Sequence, residues 1–175
     1  FGLTSGKWYW EIKYVAADGD PHNVGAFGIS GKGDPTANSH PLGYYSTDYG
    51  INADSGGTIL NNNSGTTNSL YNVAIGDILG FALDLDSGTK TLKFYRNGTE
   101  KITTNISSSP ESGAYFPAFG FTYSAGTGTF EANFGGCPGF SISSGNADGN
   151  GYGNMEYAVP TNYYVLCSKN LAEYG

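Results

Sequence analysis

The run Gly76 to Lys101, GDILGFALDLDSGTKTLKFYRNGTEK, constrains this chain more than any other stretch, because it encodes three strands joined by two tight turns. Leu79, Phe81, Leu83 and Leu85 alternate with smaller or polar residues, and Leu92 and Phe94 alternate again, the period-2 pattern of half-buried strands. Asp86-Ser87-Gly88 closes the first turn. Asn97-Gly98 supplies the residue pair that tolerates positive φ at both central positions of a type I′ hairpin. An antiparallel meander follows from local chemistry alone.

Composition extends that reading to the whole chain. Gly accounts for 28 of 175 residues, well above an average share of roughly 7%. Charged residues make up 13%, against a typical ~25%. Many turns and few long surface helices are implied. Fourteen Tyr, ten Phe and two Trp against one Met suit pleated surfaces, so the chain is expected to be all-β. The net charge of −7 with only eight scattered basic residues offers no basic stripe for phosphate, which argues against a nucleic-acid partner and against an anionic membrane. No apolar run approaches the ~20 residues of a membrane-spanning helix, so no membrane insertion is expected. Cys137 and Cys167 could pair, but two unpaired, mostly buried thiols are the simpler expectation. The chain opens at Phe1 within a strand pattern and without a leader-like segment, as an excised or processed piece of something longer would.

Other strands are legible on either side of the meander. In SGKWYWEIKY, Trp8, Trp10, Ile12 and Tyr14 share one face, with Tyr9, Glu11 and Lys13 on the other. VGAFGIS (24–30), YFPAFGFTY (115–123) and TFEANFGG (129–136) read as further strands. Residues 31–72 read as a long irregular stretch holding the low-complexity segment 61–69, too polar to fold on itself. Composition turns Gly/Ser/Asn-rich after Gly136, which divides the chain into a β-domain over 1–136 and a C-terminal extension over 137–175; only Tyr163 to Cys167 is apolar enough there to add a strand.

In order, SGKWYWEI, VGAFGIS, LGYYSTDYG, GDILGFALDLDSGTKTLKFYRNG, YFPAFGF and ANFGG resemble the SPRY domain family over most of residues 5–136. The resemblance implies a bent antiparallel β-sandwich of the concanavalin-like jelly-roll type, whose members bind proteins or peptides through edge loops and are not catalysts. The Asn/Ser-rich 31–72 segment and the C-terminal segment depart from the animal forms, so peptide-binding residues are not carried over. The tail PTNYYVLCSKNLAEYG resembles segments that follow such domains in structural proteins of tailed bacteriophages.

Candidate chemistry is sparse. Asp84 and Asp86 lie i, i+2 on a strand and could mimic a glycosidase acid pair, but an Asp beside a hairpin turn usually bonds its own backbone. There is no GxSxG, and His22 and His40 have no triad context. No catalytic residue and no cofactor is expected. No metal is expected either; Asn146, Asp148, Asn150 and Gly151 only approximate the start of a calcium loop, with Tyr157 standing where a bidentate Glu belongs. The sequons at Asn62, Asn97 and Asn105 carry little weight, and Asn97 is explained by its turn. That leaves polar-aromatic loops as binding candidates: Asp18, Asp20 and His22; Tyr44, Tyr45, Asp48 and Tyr49; and Tyr123. Tyr offers stacking area and a hydroxyl at low entropic cost, and Asp accepts sugar hydroxyls.

The expectation is a non-catalytic binding or structural module on a phage virion surface, in a tail fibre, spike or capsid-surface protein. Its partners would be a host-surface glycan or protein, or other virion subunits, with homo-oligomerisation through the parent protein. The alternatives are a cellular SPRY adaptor that recognises a peptide, and a carbohydrate-active β-sandwich enzyme.

Overall fold

Each alternating run of the meander becomes a strand in the computed structural model, which describes residues 1–17, 25–32, 40, 42–52, 57–66, 73–120 and 127–175. Strands β6 (Ile78–Asp84), β7 (Thr91–Arg96) and β8 (Thr99–Asn105) pair antiparallel in sequence. Asn97 and Gly98 take φ of 49° and 75°, as the type I′ turn requires, and Asn97 Oδ1 accepts the Ile78 N–H at 2.9 Å. At the first turn, Asp84 accepts hydrogen bonds from the N–H groups of Asp86 and Ser87 and from the Ser87 hydroxyl, and pairs with Lys7 at 2.8 Å. Burial alone would raise its carboxyl pKa, but these donors outweigh it and hold the group below its ordinary value.

The described residues fall into two compact units. One comprises Ser5–Val15, Gly76–Asn105 and Thr129–Gly175. Its sheet has the order β10-β1-β6-β7-β8, where β1 is Lys7–Ala17 and β10 is Gly128–Asn133. A two-residue strand, β11 (Tyr164–Val165), joins β1 in parallel through Trp8↔Tyr164 and Tyr9↔Val165. On one face Trp10 stacks on Phe81 at 5.4 Å, and Phe81 meets Phe94 edge-on at 5.9 Å, the arrangements aromatic quadrupoles favour.

The other face of β1 is buried as well, which strand alternation did not foretell. Tyr9, Ala82, Met155 and Val165 form a second core cluster, with Tyr95, Val159, Tyr163 and Cys167 packed against it. The C-terminal residues 137–175 supply its cover. Gly80 is needed beneath Tyr9, since a Cβ there would lie 2.5 Å from the tyrosine oxygen. The segment ends in a helix, α1 (Ser168–Tyr174), whose Tyr174 ring stacks on Tyr164 at 4.3 Å.

The second unit comprises Phe1–Thr4, Ala16–Ile75 and Ile106–Gly128. Its antiparallel sheet has the order β5-β4-β3-β2-β9, from β2 (Ala26–Ser30), β3 (Asp48–Asn52), β4 (Ile59–Asn61), β5 (Ser64–Thr66) and β9 (Phe116–Gly120). The stretch 31–72 was expected to be irregular, yet it contributes three of these strands. Its polar 61–66 part is the β4–β5 hairpin, turned by Asn62 and Asn63 at φ of 53° and 54°. β4 pairs with β3 through Gly50↔Leu60 and Ile51↔Ile59, and β5 pairs with β4, so these short strands are held by pairing rather than by an apolar period of their own. Gly28 pairs with Gly50, and a Cβ on Gly28 would sit 2.0 Å from the Tyr49 carbonyl oxygen.

Cys137 and Cys167 are both unpaired. Cys137 is exposed rather than buried, because it follows β10 in a glycine-flanked turn outside the core, and Cys167 is half-buried.

Glu11 lies at the centre of the tail-covered face and is fully buried. Its carboxylate accepts the backbone N–H groups of Glu156 and Tyr157 at 2.9 Å each, with longer contacts from Tyr9 Oη and Asn133 Nδ2. Burial outweighs these donors and pushes its pKa above the ordinary carboxylate value. Glu11→Leu should cost about 3 kcal/mol by stranding two partly buried N–H groups, measured by urea unfolding. Because the folded pKa is raised, the stability Glu11 contributes is fully present below its unfolded value and declines as pH rises through the folded one. The wild-type advantage over Glu11→Leu should therefore be larger at acid pH than at neutral pH, and the opposite trend would contradict the assignment.

Candidate binding surface

Between β2 and β3 the chain makes a tight loop, Leu42 to Thr47, whose shape is set from beneath. The Asp48 carboxylate accepts the Ser30 hydroxyl at 2.7 Å, with longer approaches from the N–H groups of Gly43 and Tyr45 at 3.4 Å. Asn61 Nδ2 donates to the carbonyls of Ser46 and Asp48 at 2.9 and 2.7 Å, and the N–H groups of Asn62 and Asn63 reach Tyr45 and Gly43. Gly43 has φ of 96°, and a Cβ there would meet Leu60 at 2.3 Å. The loop is thus fastened at both ends.

What it carries is a half-exposed aromatic group. The Tyr44 ring lies 3.7 Å from that of His40 and 5.2 Å from that of Tyr45, the latter pair nearly perpendicular at 81°. Over Tyr45, at 4.6 Å from the ring centre, sits the Lys32 ammonium, which also pairs with Glu111 at 2.6 Å. The hydrogen bond to Glu111 raises the Lys32 pKa. The neighbours of Lys32 and Glu111 are themselves pinned: Gly31 N–H donates to Thr47, Ser112 N–H donates to Gly31, and a Gly31 Cβ would press on Pro110. Five side chains from three segments of one unit therefore make one surface: Lys32, His40, Tyr44, Tyr45 and Glu111.

Of the residues expected to touch a ligand, Tyr44 and Tyr45 do lie on this surface. Asp48 and Tyr49 do not: they are 3% and 2% exposed. Asp48 is spent on the loop, because a buried carboxylate needs donors and the loop supplies them. Tyr49 lies on the interior side of β3, where its hydroxyl accepts the N–H groups of Ser107 and Ser108 at 3.0 Å. Burial would raise the Tyr49 pKa, but these donors prevail and lower it. Its neighbour Tyr115 donates to the Ser108 carbonyl, and burial, with the charge of Tyr49, pushes its pKa up to about 12. Asp18, Asp20, His22 and Tyr123 lie outside the described residues. Lys32 and Glu111 were missed because nothing in their local sequence marks them; they meet only through tertiary pairing.

Asn146, Asp148 and Asn150 do not converge as calcium ligands. Asp148 accepts from the N–H groups of Asn150, Tyr152 and Val165 and from Asn170 Nδ2, so four donors already face its oxygens. Asn146 turns its amide toward the carbonyls of Met155 and Glu156. The carboxylates of Asp84 and Asp86 are likewise spent on the first hairpin, Asp86 accepting the Gly6 N–H at 2.7 Å. No group of three or more His, Cys, Asp or Glu side chains that could hold a metal ion occurs among the described residues.

Comparison with known proteins places this architecture. The model of the SPRY domain family matches residues 7–136, and the chain belongs to that family. Its nearly all-β fold of two largely antiparallel sheets is similar to that of the SPRY domain of human HERC1, at a TM-score of 0.56 and 20% sequence identity over 75% of this chain and 77% of that one. Comparison with curated proteins gave no match. SPRY domains are generally non-catalytic protein-interaction modules. The family match stops at residue 136, while residues 137–175 beyond it supply β11 and α1.

Asp48→Ala should lower stability by about 2 kcal/mol, since it strands the donors that fasten the loop. Tyr49→Phe should cost about 1–3 kcal/mol by leaving the N–H groups of Ser107 and Ser108 without their acceptor. Tyr45→Ala, on a half-exposed ring, should leave the thermal midpoint nearly unchanged. Differential scanning calorimetry of the three variants checks this ordering.

Proposed function

We propose that the chain binds a protein partner through the surface made by His40, Tyr44 and Tyr45 with Lys32 and Glu111. The observation that carries this reading is the pairing of half-exposed aromatic rings with a loop held by Asp48 and Asn61. Such a loop loses little conformational freedom on binding, and tyrosines give large contact area with few rotors. A protein is favoured over a glycan because Asp48, the carboxylate expected to accept sugar hydroxyls, is buried and already bonded.

The setting proposed is the surface of a tailed-phage virion, in a fibre, spike or capsid-surface protein, where the partner is a host-surface protein or a neighbouring virion subunit. Its support is the resemblance of residues 160–175, PTNYYVLCSKNLAEYG, to segments found in such proteins.

A photo-crosslinking residue placed at Tyr44 should give a discrete protein adduct with host envelope proteins or with disassembled virion subunits. The same residue placed at Lys169, in the other unit, should give none. Adding Tyr45→Ala should reduce the Tyr44 adduct severalfold. Equal labelling from both positions, or binding that survives protease treatment of the target and disappears on periodate oxidation, would reject the protein-binding surface.

A further inference from the structure

The chemistry of the partner can be taken a step further from what already occupies the aromatic surface. Lys32 places its ammonium against the Tyr45 ring and the Glu111 carboxylate together. A cation over a tyrosine face with a carboxylate beside it is a cation-accepting arrangement, and the protein's own side chain demonstrates that a cation fits. That occupant is held loosely. The Lys32 and Glu111 side chains are 31% and 49% exposed, and ion pairs this open contribute little to stability. Exchanging one cation for another is therefore cheap. The backbone around Lys32 is tied to Ser30 and Thr47, so the lysine can swing aside without disturbing the loop.

Resting on the reading of this patch as a protein-binding surface, we propose that it takes an arginine or lysine from a segment of the partner, which displaces Lys32 from Tyr45 and Glu111. Arginine suits the site better than lysine, because a planar guanidinium stacks on the phenol ring while its fork reaches the carboxylate in two bonds. Tyr44 and His40 flank the arriving segment. The net charge of −7 attracts a basic segment at a distance and repels an acidic one. Lys32 then acts as an internal competitor, raising the threshold a partner must pass.

The test is titration of the whole chain with the capped peptide Gly-Arg-Gly-Arg-Gly, followed by NMR shifts of the Tyr44, Tyr45 and Glu111 amides. The citrulline counterpart serves as the uncharged control. The arginine peptide should shift these amides and the citrulline peptide should not. Lys32→Ala should tighten binding by about two- to fivefold, the reverse of what loss of a contact residue does. Lys90→Ala makes the same change in net charge on an exposed loop of the other unit and should leave affinity unchanged. Tyr45→Ala and Glu111→Gln should each weaken it. Unchanged or weaker binding in Lys32→Ala, or equal binding of the citrulline peptide, overturns the proposal. Spermidine binding as tight as the peptide's would assign the site to a free polyamine and overturn the protein segment. Loss of the crosslinked adduct in Tyr45→Ala alongside failure of the arginine peptide would sink the cation proposal and leave the protein-binding surface standing.

Discussion

The buried carboxylate of Glu11 governs how one of the two units of this fold is put together. It sits in the middle of β1, beneath a face that strand alternation alone would leave open, and its oxygens take the N–H groups of Glu156 and Tyr157. Stripped of those donors it would be an unpaired charge in a low-dielectric interior, a state that costs several kcal/mol. Held by them, it aligns residues 153–167 so that Met155 and Val165 close over Tyr9 and Ala82. Both faces of β1 are then interior, and β11 extends pairing along its edge. The segment 137–175 is for that reason packed as part of its unit.

The same use of carboxylates recurs through the chain. Asp84 fastens the first hairpin, Asp48 fastens the tyrosine loop, and Asp148 gathers three backbone N–H groups and Asn170. A turn-rich protein with few helices has many backbone donors that no ladder satisfies, and short acidic side chains are the economical acceptors. In sequence these residues look like chemistry: an acid pair, a sugar acceptor, a calcium loop. In the fold each is already bonded. Glu111 differs because its side chain remains partly open to solvent, against a lysine that is itself open.

The proposed function rests on this division of labour. Asp48 and Asn61 fasten the 42–47 loop from beneath, and a loop fastened in this way would let a few aromatic side chains make the proposed contact without a large ordering cost. The rings, amine and carboxylate of this surface are suited to contact rather than to bond-making, in keeping with a family of interaction modules.

Much of the fold was legible because its signals are local. The alternation of Leu79, Phe81 and Leu83, the Asn97-Gly98 turn and the Trp8/Trp10 face each depend on neighbours a few residues away, and each is present as read. The β4–β5 strands were not legible, because they are three residues each, Ile-Leu-Asn and Ser-Gly-Thr, too short to show a period, and are held by pairing of β4 with β3 and of β5 with β4. Tyr44 and Tyr45 could be named as surface candidates, but the burial of Asp48 and Tyr49 could not, since these neighbours point to opposite sides of β3 and both sides are covered only in the tertiary structure. The sequence by itself determined the strand meander, its turns and the family. Only the tertiary structure decided that Glu11 would hold the tail and that Lys32 and Glu111, 79 residues apart, would meet beside Tyr45, because those contacts are made by chain segments whose proximity no local pattern encodes.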